Sequence, residues 1–287
     1  MKALICAALL AVPAAASTQA PAPGGSIQPA RWHLDGATSR CVLTRRLEGT
    51  PGAATFIVRT IPGSGRYDLI LADRELPSEI RSARRPLALT FAPGTQSYRG
   101  DGRPIDLPGE LGRGVLIGPL PAAFLADLAG AGTLRLASDR GEELGSWTLP
   151  VARRAAEALA YCEAEKQVEW GGDPASVEAG ATHARPIGEP SEWLTPRDLG
   201  INSADGNIGS SAFAAVFRLV VGTDGRAKSC TLVESAGNLE IHGNPCDTLV
   251  RRARYEAARD PNGGNVVSVA IHIVSMRNEV EFRVIPG

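Results

Sequence analysis

Aromatic residues are scarce in this 287-residue sequence, at 5%, and methionine occurs only twice. So few aromatics argue against a base-stacking platform for single-stranded nucleic acid. Neither sign of charge is in excess: 30 basic residues face 31 acidic ones, a formal net charge of −1. Nucleic-acid binders normally carry a basic excess or stripe, so no nucleic-acid partner is expected. The pairs Arg45-Arg46, Arg84-Arg85, Arg153-Arg154 and Arg251-Arg252 are offset by acids and read as solvated faces. No apolar run reaches the ~20 residues that a spanning helix takes, so no membrane span is expected in the mature chain.

The N-terminus is more informative. Lys2 is followed by a short apolar run, ALICAALLAVPAAA, and then by polar STQAPAPGGS. That order predicts a cleavable signal peptide over 1–16 and a flexible leader over 17–30, which places the protein in the periplasm. Loss of Cys6 leaves Cys41, Cys162, Cys230 and Cys246. An even number of cysteines in an exported chain reads as disulfides, and four allow three pairings.

Residues 31–165 read as a β-rich domain with a closing helix. CVLTRRL, AATFIVRTI, RYDLILA and PLALTFA are strand-like runs between Gly- and Pro-bearing stretches, followed by TLRLA and GSWTLPV. PAAFLADLAGAG predicts a short helix from Pro121 to Gly130 or Gly132. ARRAAEALAYCEAEK predicts another, with Ala155, Leu159 and Cys162 on one face. Cys162 then points towards the sheet that begins at Cys41, which favours a Cys41–Cys162 bridge. Residues 166–195 lack periodicity and read as a linker or a cover segment. In 196–287, AFAAVFRLVV and AKSCTLVES form a hairpin about Asp224-Gly225. A helix starts at Pro245 with Asn244 as its cap and Asp247 at its positive end. Cys246 faces inward on it and is the natural partner of Cys230.

Motifs for chemistry are weak. Cys230, His242 and Cys246 have zinc-ligand types but lack a fourth ligand, so the disulfide reading is preferred and no metal is expected. His33, His183 and His272 are isolated, and no nucleophile has a recognisable base; neither catalytic residues nor a cofactor are expected. Arg99-Gly100-Asp101 reads as a turn. PGELGRGVLIG lacks the strand-to-helix context of a phosphate loop. Asp73-Arg74-Glu75 and Glu142-Glu143 read as surface loops.

The order hairpin, Ser235-Ala236-Gly237, a helix ending RRARYEAA and the strand VVSVAIHI resembles the C-terminal domain of the TonB family, over roughly the last 85–90 residues. Ala257 stands where that family usually has Pro. Residues 31–165, together with the stretches WGGDP and PSEW, make the chain similar to two-domain exported TonB-domain proteins of sphingomonad-type bacteria. The expected fold class is therefore α+β, a β-rich domain followed by an antiparallel sheet packed on a helix. The resemblance implies a protein partner in the periplasm or outer membrane, such as a TonB-dependent receptor. The chain departs from an energy transducer in having an expected signal peptide and a folded first domain.

The strand of that pattern, Val266, Val267, Ser268, Val269, Ala270, Ile271, His272 and Ile273, is the candidate binding edge. Its odd-numbered residues form an apolar face suited to the RRARY helix, while Ser268, Ala270 and His272 form a mildly polar one. The resemblance implies that this edge accepts an extended peptide by strand addition. The other reading is that 278–284 folds back and covers it. The expected function is a periplasmic binding or adaptor protein; the alternative is a hydrolase or inhibitor acting through the first domain.

Overall fold

A computed structural model describes residues 31–36, 40–61, 63–73, 76–82, 84–107, 111–200, 212–237, 241, 243–277 and 279–284. The expected signal peptide and leader, and His242, Arg74 and Glu75, lie outside them.

The chain begins with five strands: β1 (His33–Asp35), β2 (Val42–Leu47), β3 (Gly49–Thr50), β4 (Ala54–Ile61) and β5 (Arg66–Ala72). Helix α1 (Ser78–Ser82) is followed by β6 (Arg85–Ala92), β7 (Ser97–Asp106) and β8 (Arg113–Leu120). Helix α2 (Ala123–Gly130), β9 (Thr133–Ser138), β10 (Glu143–Thr148) and the long α3 (Arg153–Glu169) complete this part. All ten strands form one antiparallel sheet, ordered β1-β2-β4-β5-β8-β7-β6-β9-β10-β3. Only Glu48 separates β2 from β3, yet the two lie near opposite ends of that order. The sheet therefore curls until β3 meets β10, with the Thr148 amide donating to the Glu48 carbonyl at 2.9 Å. Curling removes most of the open edge that a flat sheet would present.

Inside the curl lie Leu43, Phe56, Leu69, Leu89, Ile117, Leu136 and Trp147, all essentially inaccessible. Phe124 of α2 packs edge-on to Phe91 and Tyr98, and Leu159 of α3 closes the same core. Cys41 and Cys162 are at bonding distance, 1.98 Å, and tie α3 to the residue just before β2.

The Arg99-Gly100-Asp101 segment corrects the sequence reading: it is mid-strand in β7, not a turn. The reason is packing. A Cβ at Gly102 would stand 2.3 Å from Leu87 Cδ1, and one at Gly100 3.0 Å from Ile117 Cγ2. Glycine here makes room for side chains of the neighbouring strands rather than bending the chain. RGVLIGPL, read only as a glycine-bearing stretch, is β8. Glu143 starts β10 instead of lying in a loop, and Asp73 accepts from Arg46 Nη1 at 3.1 Å.

Residues 170–199 act as cover, carrying α4 (Pro174–Glu178), β11 (Arg185–Pro186) and single 3-10 turns at Pro190–Glu192 and Pro196–Leu199. Next come β12 (Ala212–Val221), β13 (Ala227–Gly237) and α5 (Pro245–Arg252). Asn244 caps α5 by accepting from the Asp247 amide, and Cys246 lies 2.04 Å from Cys230 on β13. The helix stops at Arg252, so YEAA is not helical: β14 (Tyr255–Glu256) pairs with β11. β15 (Ala258–Arg259) and β16 (Asn265–Val266) then pair with each other. β17 (Ser268–Arg277) and β18 (Glu279–Val284) finish an antiparallel sheet ordered β13-β12-β17-β18. Its core on the helix side holds Trp193, Leu194, Phe217, Leu219, Leu249 and Tyr255. The molecule is thus mixed and mostly β, with a curled antiparallel sheet.

Candidate functional site

The predicted edge, Val266–Ile273, is not open. β17 lies between β12 and β18, and β18 pairs with it from His272 to Arg277. Ser268–Ile271 pair with β12 on one side, while the turn between β4 and β5 approaches from the curled sheet. Gly63 there has φ of 75°, and a Cβ on it would stand 2.4 Å from the Val269 carbonyl oxygen. Only glycine suits that backbone and that approach.

The two faces of β17 are also the reverse of the expectation. Ala270 and Val274 join the core under α5. Val269 and Ile271 instead pack on Ile61 and Trp170, which seam the two sheets together, with Val216 and Ile273 beside them. Alternation marks two faces but does not say which meets the helix, and here both are covered.

His272 is wholly buried. Its ring stacks on Trp193 at 5.8 Å and stands 6.5 Å from Phe217, and neither ring nitrogen has a hydrogen-bond partner among the described residues. Burial lowers its pKa to about 4. Glu163 on α3 is the opposite case. Tyr67 Oη donates to its Oε2 at 2.8 Å, its Oε1 has no partner among the described residues, and burial raises its pKa to about 7. A perturbed carboxylate is a usual sign of a catalytic site. Glu163, however, is only 5% exposed and is not among the residues that line the cleft described next. Among the described residues no three His, Cys, Asp or Glu side chains are grouped to hold a metal ion.

What the structure does contain is a cleft of about 760 Å³ between the two sheets. One wall comes from the curled sheet: Asp35 at the end of β1, Arg40, Val42 and Arg59. The facing wall is Arg218 of β12 and four consecutive β13 residues, Thr231 to Glu234, with Trp170 beside them. It is an open groove rather than an enclosed cavity, of a volume that ligand sites share.

Two of its arginines are held in ion pairs. Arg59 Nη2 holds Asp68 Oδ2 at 3.0 Å, and Arg40 Nη2 holds Glu234 Oε2 at 2.5 Å across the cleft. Burial lowers the Arg59 pKa; Asp68 and Glu234 oppose this, and Arg40 adds to it. Arg218 lies over the Trp170 ring, 5.2 Å from its centre.

β13 is the outermost strand, and its outer side pairs with no strand among the described residues. Val216 faces Glu234 and Phe217 faces Leu232, so Val233 is the extra residue of a bulge. The bulge turns Glu234 onto the face that meets Arg40, and Leu232 is left 42% exposed. Sequence reasoning missed this strand as a site because its residues are ordinary. The available signal was in β12: Val216 and Val220 are apolar on the face opposite Phe217 and Leu219, so that face too needed cover. Comparison with known proteins finds no matching family model, curated protein or solved structure.

Proposed function

We propose that the protein is a periplasmic binding or adaptor protein. In this reading it takes an extended polypeptide segment in the cleft, by strand addition to β13. The observation that carries the reading is that four successive residues of β13, Thr231–Glu234, line the cavity on a strand whose outer side pairs with no strand among the described residues. Main-chain donors and acceptors on such an edge recognise another extended chain with no need for distinctive side chains. The two disulfide-distance cysteine pairs fit an exported protein. The hairpin, helix and strand order fits the resemblance to TonB C-terminal domains and favours a cell-envelope partner, such as an outer-membrane receptor of TonB-dependent transport. The strand that the resemblance points to, β17, is flanked by β18 in this chain, so recognition is assigned to β13 at the opposite edge.

A display library of random ten-residue segments, panned on the full chain, tests this. Wild type is expected to enrich segments able to lie extended. Successive amides of a strand point to opposite sides, so one of Thr231→Pro and Leu232→Pro removes an outward donor while sparing the pairing to β12. The Pro variant that keeps native circular dichroism is expected to bind the enriched segment about tenfold more weakly, as the loss of one or two main-chain hydrogen bonds implies. Undiminished binding by that variant overturns strand addition at β13.

A further inference from the structure

Three guanidinium groups reach the cleft, and two of them are compensated. Arg59 is paired with Asp68 and Arg40 with Glu234. Arg218 belongs to no ion pair among the described residues; its one hydrogen bond is a long contact from Nη2 to Thr231 Oγ1 at 3.4 Å. That contact fixes where the group lies. The side chain starts on β12, crosses the face of the sheet towards Thr231 of the outermost strand, and lies over the Trp170 ring at cation–π distance. A guanidinium carries five N–H donors in a planar fork that matches a carboxylate, and most of those on Arg218 remain unused.

A strand added to β13 lies about 4.8 Å beyond it. Residues directly opposite one another share a face of the sheet, so the added residue facing Thr231 sends its side chain to the side where the Arg218 guanidinium lies. From these placements we infer that Arg218 is a specificity residue, and that the segment taken by the cleft carries an Asp or Glu opposite Thr231. The inference rests on the strand-addition reading of β13 and adds the chemistry of the occupant. If Arg218 merely covers Trp170, its replacement lowers stability and leaves peptide preference unchanged.

The test uses the best-enriched library segment as a synthetic peptide in three forms: as selected, with its acidic residue changed to the matching amide, and with the C-terminal carboxylate amidated. Affinities are measured for the wild-type full chain, Arg218→Gln and Arg218→Lys, each checked for a native thermal transition. Wild type is expected to prefer the acidic peptide to its side-chain amide at least tenfold, in line with a charge-assisted bidentate contact. Arg218→Gln should lose the preference and bind both forms as wild type binds the amide. Arg218→Lys should keep part of it, since Lys retains charge without the fork. Amidating the C-terminus should change nothing. A preference that survives in Arg218→Gln, an equal affinity of wild type for both forms, or dependence on the free C-terminus each overturns the inference while leaving peptide binding at β13 intact. If wild type enriches no segment at all, the strand-addition reading falls and this inference falls with it.

Discussion

Replacing Cys41 and Cys162 together by Ala is expected to lower the unfolding free energy by about 4–5 kcal/mol. The two residues are 121 positions apart, so their bond closes nearly the whole curled sheet into one loop. In the chain-entropy model a loop of roughly 100 residues contributes about 4–5 kcal/mol by restricting the unfolded chain. The bond also anchors α3, whose Leu159 and Ala156 complete the core. The 16-residue separation of Cys230 and Cys246 predicts a smaller loss, about 3 kcal/mol. Urea unfolding of each double-Ala variant against wild type measures both. The long-loop variant should show the lower midpoint; equal midpoints for it and wild type would contradict the stated role of the bond.

The second large effect is a dependence on pH that wild type conceals. His272 has its pKa lowered to about 4 in the fold, so its contribution is fully present above the unfolded value near 6.5. That contribution is lost as pH falls towards 4, where the unfolded chain takes up a proton that the folded core resists. Glu163 is raised to about 7, so its contribution is fully present below the unfolded value near 4.5. It is lost as pH rises towards 7. Between pH 4.5 and 6.5 the two slopes oppose one another. Each shift spans about 2.5 pH units, or roughly 3.5 kcal/mol at about 1.4 kcal/mol per unit, of which about 3 kcal/mol falls between pH 4.5 and 6.5. In Glu163→Gln the amide can still accept from Tyr67, and stability should fall by up to about 3 kcal/mol from pH 6.5 to 4 relative to wild type. His272→Phe keeps a ring against Trp193 and should show the reverse, losing stability relative to wild type as pH rises from 4.5 to 7. Parallel pH profiles for both variants and wild type would refute the account.

Much of the local structure was legible in the sequence because it depends on short-range rules. The span of β12, the turn at Asp224-Gly225, the Asn244 cap and the inward side of Cys162 follow from periodicity and capping. What lay hidden depends on neighbours distant in the chain. Gly100 and Gly102 suggest a turn until Leu87 and Ile117 are seen to occupy the space above them. The alternation in β17 identifies two faces, but Trp170 and Ile61 claim the one that the pattern assigns to the helix. The cleft was hidden for the same reason. Arg40, Arg218 and Glu234 are unremarkable until two sheets are packed together, and an unpaired strand edge leaves no mark in side-chain pattern.

The most direct measurement is amide hydrogen exchange on the full chain, with and without the best-enriched library peptide. If the peptide joins the sheet at β13, exchange should slow at the outward-facing amides within Thr231–Glu234, while Ser268–Ile273, already enclosed by β12 and the seam, should be unaltered. Protection centred on Ser268–Ile273, with Thr231–Glu234 unchanged, would contradict the account and return the site to the strand that the sequence first indicated.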